Sequence, residues 1–316
     1  MNEILVSAKS TRSQILTKLT AACDWAGISR GRALEYGALF AEHFTIEEKT
    51  REHFFAYNEL SDVSEAYELW LNEVDLFPGL KEMIREVFSS GPLLREDERP
   101  GNSGSRPRND AFPIILAGKL NKAGIAVASI EGIRRNKSAR ARDPNEGIII
   151  KSDIAIEHCD LLIPIECKRP QSIEAMYARA AEARRQLSGI NGIIAIDCSA
   201  AIRPAGQVLE AQTDKKAADF IDSLLASKVV PVVRRQFRQQ VIGAILYIRT
   251  PVHTVHKISS ILDSSGNPVT TYNLVTATTI FFVANPNSPQ AKVFRSMKDA
   301  YMATLSAMGQ PHNVEG

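Results

Sequence analysis

Residues 151–168 of the chain read KSDIAIEHCDLLIPIECK. Two runs rich in β-branched and other apolar residues, 148–156 and 161–168, stand on either side of Glu-His-Cys-Asp, a link short enough for a β-hairpin. If the turn centres on Cys159 and Asp160, positions whose numbers add to 319 face each other. The stretch therefore predicts an antiparallel hairpin with a defined register.

The two faces of this hairpin differ in chemistry because successive side chains on a strand alternate sides. The apolar face collects Ile150, Ile154, Ile156, Leu161, Ile163, Ile165 and Cys167. The charged face collects Lys151, Asp153, Glu166 and Lys168. Asp153 lies opposite Glu166, and like charges in that position destabilise a ladder unless a cation compensates them. The cation could be a metal ion, or the two lysines could neutralise the acids in a salt-bridge cluster.

Length and composition bound the class of protein. At 316 residues with 44% hydrophobic content, the chain can bury one large core or two ordinary ones. No apolar run approaches the roughly 20 residues that span a bilayer, and the first nine residues lack the pattern of a secretory signal. The four cysteines show no paired spacing, so neither a disulfide frame nor a zinc knuckle is indicated. We expect a soluble, cytoplasmic protein that does not enter membranes.

Charge is distributed unevenly along the chain. Residues 41–100 carry 15 acidic and 6 basic side chains, whereas residues 101–316 carry 18 acidic and 27 basic ones. An acidic segment joined to a basic one favours a polyanionic partner for the basic part. Uneven solvated surface is the alternative explanation.

The periodicity of apolar residues divides the chain into three parts. Spacings of three and four predict an all-helical region over residues 1–95, and the Pro-, Gly- and Ser-rich residues 96–109 predict a linker. Residues 110–316 then form one α/β domain. It is predicted to contain a helix over 110–122, a strand over 125–130, the hairpin, a helix over 172–187 and a strand over 193–196. Helices over 206–226 and 232–240, strands over 241–248 and 277–284, and a closing helix over 290–308 are predicted to follow. The resulting α-β-β-β-α-β order predicts a mixed sheet, with a right-handed β-α-β crossover to a parallel neighbour.

An acid, a second acid and a lysine two positions later resemble the motif of the PD-(D/E)xK nuclease superfamily. Here the motif is Asp153, then 12 residues, then Glu166-Cys-Lys168, and the order of elements over residues 108–199 resembles that family's core. Ser152 stands where the family often has proline. Pro164 cannot donate to the ladder, so it predicts a bulge or an unpaired position near the register of the hairpin. The resemblance implies a restriction-endonuclease-like mixed sheet flanked by helices.

The resemblance also implies a set of metal ligands. Asp153 and Glu166 would bind Mg²⁺, for which Mn²⁺ could substitute, together with the main-chain carbonyl of Cys167. Magnesium prefers such hard oxygen ligands, and it activates bound water and stabilises charge on a phosphate. Lys168 would orient the attacking water or stabilise the transition state.

Further members of the site are less determined by the motif. The family often adds an acid from the first core helix, where Asp110 stands, but an N-cap is an alternative role for that residue. Glu146 is another candidate acid. From the helix that follows the lysine, Arg179 or Gln186 could reach the site, with a solvated face as the alternative.

A basic run precedes the Asp153 strand and predicts contacts to phosphate, which position a nucleic acid without reading its sequence. Its five cations are Arg134, Arg135, Lys137, Arg140 and Arg142. A weaker basic candidate lies at residues 234–238. His253 and His256 lack an evident third ligand, so we predict no metal site there.

These features predict a Mg²⁺-dependent phosphodiesterase, and more specifically an endodeoxyribonuclease with a restriction or other defence role. The predicted partner is nucleic acid, in the first place DNA. The alternative is a non-catalytic nucleic-acid-binding or assembly protein that keeps the nuclease fold. The N-terminal helices could support a homodimer or contact a partner protein, and the sequence does not decide between these.

Overall fold

The computed structural model describes residues 12–29, 31, 38, 51–89, 106–136, 152–170, 172–202, 209–211, 214–262, 264–266 and 268–307. These residues form an α/β structure around one mixed, open β-sheet. The N-terminal part contains α1 (Arg12–Ala26), α2 (Arg51–Trp70), a 3₁₀ turn (Val74–Leu76) and α3 (Leu80–Ser89). The central part contains α4 (Arg106–Lys122), β1 (Ala126–Ile130), β2 (Ile133–Arg134), β3 (Ile154–His158), β4 (Leu161–Lys168), α5 (Ile173–Gln186) and β5 (Gly192–Asp197). The last part contains β6 (Leu209–Ala211), α6 (Asp214–Leu224), a π-helical turn (Leu225–Val229), α7 (Val230–Arg234), β7 (Val241–Leu262), β8 (Pro268–Ala284) and α8 (Ala291–Ala307).

The hairpin has the predicted register. Residues 154–158 of β3 pair with residues 165–161 of β4 without a shift, and every pair of numbers adds to 319. Cys159 and Asp160 form the turn in the left-handed region, with φ of 51° and 59°, as a two-residue hairpin turn requires. The five apolar residues that β3 and β4 contribute to the larger core all come from the predicted apolar face: Ile154, Ile156, Ile163, Ile165 and Cys167.

Pro164 fits the ladder without the predicted bulge. It lies opposite Ala155 in β3, and the parallel pairing of β4 with β5 begins only at the next residue, Ile165. The chain of Gly192 passes so close that a Cβ there would lie 2.7 Å from the Pro164 carbonyl oxygen. A glycine at the start of β5 therefore makes room for the proline in β4.

The order of strands in the sheet is β2-β1-β3-β4-β5-β7-β6, with β8 on the outer side of β7. β4, β5 and β7 run parallel, as predicted for the β-α-β step. Alternate residues of β5 enter two different hydrophobic cores, Ile193 and Ala195 one and Ile194 and Ile196 the other, so the sheet is covered on both faces. Helices α1 to α4 and α8 cover the first face, and α5 to α7 cover the second.

Several boundaries differ from the predicted ones. Helix α4 begins at Arg106, so Asp110 lies in its second turn and is not its N-cap. The helix predicted over 206–226 begins at Asp214 after a short strand, and the one predicted over 232–240 ends at Arg234. The two C-terminal strands are much longer than predicted, and they form one hairpin around a turn at residues 264–266.

No helix in the described part of the chain combines the length and the hydropathy needed to cross a membrane. All four cysteines are free thiols.

Candidate active site

Asp153 is fixed from two sides at the entrance to β3. Its Oδ2 accepts a hydrogen bond of 2.6 Å from the main-chain N–H of Cys167. Its carbonyl oxygen accepts a 2.8 Å bond from the N–H of Glu131, in the turn between β1 and β2. The last paired residues of the hairpin are Ile154 and Ile165, so Asp153 and Glu166 follow directly as the next facing positions.

Glu166 is a buried acid in a repulsive environment. Only 3% of the residue is exposed, and among the described residues its Oε2 has no hydrogen-bond partner. Burial and the neighbouring charge of Asp153 raise the pKa of Glu166 to about 8, against the opposing effect of Lys168. Burial also raises the pKa of Asp153, although the Cys167 N–H and Lys168 act in the other direction. The two carboxyl groups therefore compete for one source of positive charge.

Lys168 lies between two acids. Its Nζ is 3.9 Å from Glu166 Oε2 and 4.0 Å from Oε1 of Glu182, which lies on α5. The other oxygen of Glu182 pairs with Arg179 Nη1 at 2.8 Å. Gln186 is exposed at the end of the same helix. Helix α5 thus places Glu182 beside Lys168, whereas Arg179 contacts Glu182.

Two acids outside the motif, Glu131 and Glu182, act on the pair and were not predicted from the sequence. The charges of Glu182 and Glu131 raise the pKa of Glu166, and Glu182 also raises that of Asp153. Glu182 lies three residues after Arg179, so the two residues share one face of the helix. Because Arg179 was a candidate for the site, this spacing could have identified Glu182 as well. Glu131-Gly132, directly after the β-rich residues 125–130, could have indicated the turn. A role for Asp110 at the site stays a prediction.

Of the predicted basic run, the structure describes Arg134, which is exposed at the end of β2, and Arg135, which is partly buried. Lys137, Arg140 and Arg142 lie outside the described residues, as do Glu146 and Lys151. The salt-bridge alternative can therefore be followed only for Lys168, whose Nζ contacts Glu166. His253 and His256 lie on β7.

The donor atoms at the hairpin end fit a divalent cation. Asp153 and Glu166 offer carboxylate oxygens, and the Oε2 of Glu166 is buried without a hydrogen-bond donor. On a strand, the N–H and C=O of one residue project to the same side. Because the N–H of Cys167 points at Asp153, its carbonyl faces the same space. Within the described residues no three His, Cys, Asp or Glu side chains are grouped to hold a metal, so water and substrate would complete the coordination.

A second set of charges, which we call the helix–sheet ion network, lies buried or half-buried next to this site. It consists of Asp62, Glu65, Lys119, Arg169, Asp197 and Arg249. Arg169, the residue after Lys168, places its Nε 2.7 Å from Asp197 Oδ2 and an Nη2 atom 3.4 Å from Asp62 Oδ2. Arg249 pairs with Asp62 as well. Helix α2 is therefore tied by ion pairs to Arg169, directly after β4, and to Arg249 within β7, and Arg169 extends the network to Asp197 at the end of β5.

Comparison with protein-family models, with curated proteins and with solved structures found no match for this chain.

Proposed function

We propose that the protein is a metal-dependent nuclease with a restriction-endonuclease-like core, acting on DNA in the cytoplasm. One observation carries the proposal. Asp153, which is half-buried, and Glu166, which is buried, stand at facing positions at the end of a hairpin, and an oxygen of Glu166 has no hydrogen-bond donor among the described residues. Such an arrangement destabilises the folded state unless a cation or a proton compensates the negative charge. Buried carboxyl groups with perturbed pKa values are concentrated in catalytic sites.

The chain's own residues suit phosphodiester hydrolysis. Asp153, Glu166 and the carbonyl of Cys167 would hold Mg²⁺ or Mn²⁺, which when bound lowers the pKa of a coordinated water and stabilises charge on the phosphate. Lys168 carries its ammonium group 3.9 Å from Glu166, where it can orient the attacking water. Glu182 holds the ammonium from the other side and limits its freedom.

Substrate binding must overcome the negative charge of the acid cluster, by which we mean Glu131, Asp153, Glu166 and Glu182. Arg134 and Arg135 follow the turn that contains Glu131, and they are the described members of the basic run. Arginine pairs with phosphate in a bidentate manner and without regard to base sequence. The basic run would therefore position the backbone of DNA beside the acids, and a restriction or other defence role fits such an enzyme.

The test is cleavage of supercoiled and linear DNA by the purified chain with Mg²⁺ or Mn²⁺. We expect cutting that EDTA abolishes, and a loss of at least about 100-fold in rate for Lys168→Ala with DNA affinity retained. Lys292→Ala, an exposed lysine on α8, serves as the matched control and should cut normally. If the chain binds DNA but cuts neither DNA nor RNA with either metal, the non-catalytic alternative replaces the nuclease proposal.

A further inference from the structure

A groove of about 420 Å³ runs along the outer edge of the sheet, away from the acid cluster. Four consecutive residues of β8, from Phe281 to Ala284, line it. A strand that presented one face would contribute alternate residues, because successive side chains lie on opposite sides. Phe281 indeed belongs to one core and Phe282 to the other. The groove therefore follows the edge of the strand rather than a face of the sheet.

Among the described residues, β8 pairs with β7 on one side and with no strand on the other. The pairing of residues 269–284 with β7 runs without a bulge. None of the 17 residues of β8 is charged. Long, regular, uncharged edges attract further strands, and proteins ordinarily blunt them with charges, bulges or covering elements.

Helices form the two walls of the groove and carry its charge. Arg234 at the end of α7 lies on one wall, and Arg295 and Lys298 of α8 lie on the other. Among the described residues, no acidic side chain lines the groove. Three cations around an apolar strand edge favour an occupant that combines an extended backbone with negative charge. A second copy of β8 fits poorly, because that strand has no acid to offer.

We propose that this groove binds an acidic peptide segment of a partner protein, which adds to the sheet as a strand beside β8. Main-chain hydrogen bonds to the β8 edge would supply affinity, and the three cations would select acidic side chains at alternate positions of the peptide. None of the residues that line the groove belongs to the acid cluster or to the helix–sheet ion network. The proposed peptide-binding groove is therefore independent of the proposed nuclease activity, and its test holds whether or not the chain cleaves DNA.

The test selects a displayed library of random heptapeptides on the purified full chain. We expect enriched peptides with Asp or Glu at alternate positions and β-branched residues between them. A synthetic peptide of the enriched sequence, followed by fluorescence anisotropy, should bind at least about tenfold more weakly to Arg295→Glu and to Lys298→Glu. Lys292→Glu, on the same helix but outside the groove, should bind as the wild type does.

Hydrogen exchange distinguishes strand addition from simple charge attraction. Binding of the peptide should slow amide exchange within residues 281–284 of β8. Enriched peptides without acids, equal binding to the charge-reversed variants, or unchanged exchange in β8 would each overturn the proposal. So would a dimer in solution whose formation protects the same amides, or an oligonucleotide that occupies the groove and excludes the peptide.

Discussion

At the scale of single residues, the site rests on a conflict between burial and charge. Glu166 and Asp153 both have raised pKa values because burial disfavours their ionised forms, and each also repels the other or a neighbouring acid. The motif and the hairpin register allowed Asp153, Glu166 and Lys168 to be predicted from the sequence. Glu182 was not predicted, because its contact with Lys168 depends on how α5 packs against β4.

The raised pKa of Glu166 makes stability depend on pH and on metal. Its pKa is about 8 in the folded chain against an ordinary value near 4.5, so the folded state holds the proton more tightly. Its contribution to the free energy of unfolding is therefore complete below pH 4.5 and is lost as the pH rises to about 8. In EDTA, urea unfolding should show that the free energy of unfolding falls over this pH range. Glu166→Gln should flatten this pH dependence. Mg²⁺ should oppose the fall in the wild type. Parallel pH curves for the two proteins in EDTA would contradict this account.

If the nuclease proposal holds, Glu182 acts on the reaction through Lys168 and through the two acids. Glu182→Gln frees the lysine from one of its partners, and we expect DNA cleavage to fall by about 10- to 100-fold. It also removes a charge that raises the pKa of Asp153 and Glu166, so Mn²⁺ binding should begin at lower pH. Arg179→Gln is the matched control, since this exposed arginine contacts only the far oxygen of Glu182. Equal rates and equal pH profiles for both variants would exclude this role.

At the scale of elements, alternation and a short turn made the hairpin predictable, whereas other boundaries depended on context. Pro107 stands in the first turn of α4, where proline is tolerated, yet the Gly- and Ser-rich residues before it suggested a linker. The apolar run of β7 gives way after Ile248 to polar residues and Pro251, but pairing with β8 continues the strand to Leu262. The length of β7 is therefore set by its pairing with β8 and not by the β-propensity of its own residues.

The close passage of β5 over Pro164 gives a test of the hairpin's packing. A Cβ at Gly192 would lie 2.5 Å from Leu187 Cδ2 and 2.7 Å from the Pro164 carbonyl oxygen. We expect Gly192→Ala to lower the free energy of unfolding by about 1–3 kcal/mol, because the oxygen belongs to the backbone and cannot move aside. Gly31→Ala, where a Cβ meets nothing within 4 Å, should be neutral or slightly stabilising. Chemical denaturation measures both, and a neutral Gly192→Ala would mean that the strands are spaced differently.

At the scale of the whole molecule, the N-terminal helices share one hydrophobic core with the sheet and are tied by the helix–sheet ion network to Arg169, next to Lys168, and to Arg249 in β7. Sequence could not predict this network, because Asp62 meets partners that lie 107 and 187 residues away. The division of the chain into separate domains stays a prediction. The contacts make α2 a support for the strand that carries Lys168.

Removal of Asp62 should therefore affect both stability and activity. Asp62→Ala leaves Arg249 and Arg169 buried with fewer partners, and we expect a loss of about 3–5 kcal/mol in the free energy of unfolding. If the nuclease proposal holds, cleavage by the folded fraction should slow while DNA affinity stays unchanged. Glu68→Ala on the same helix removes a half-exposed pair with Lys18 and should cost under about 1 kcal/mol. Equal costs for the two variants would show that the network does not hold α2 to the sheet.

Isothermal titration calorimetry of Mn²⁺ with the full chain near pH 8 tests whether Asp153 and Glu166 together bind a divalent cation. We predict a bound Mn²⁺ ion that is lost in Asp153→Asn and in Glu166→Gln but kept in Lys168→Ala, with protons released on binding because Glu166 must ionise. Binding of Mn²⁺ that is indifferent to both acids, or no binding at all, would contradict the assignment of Asp153 and Glu166 as a metal-binding pair.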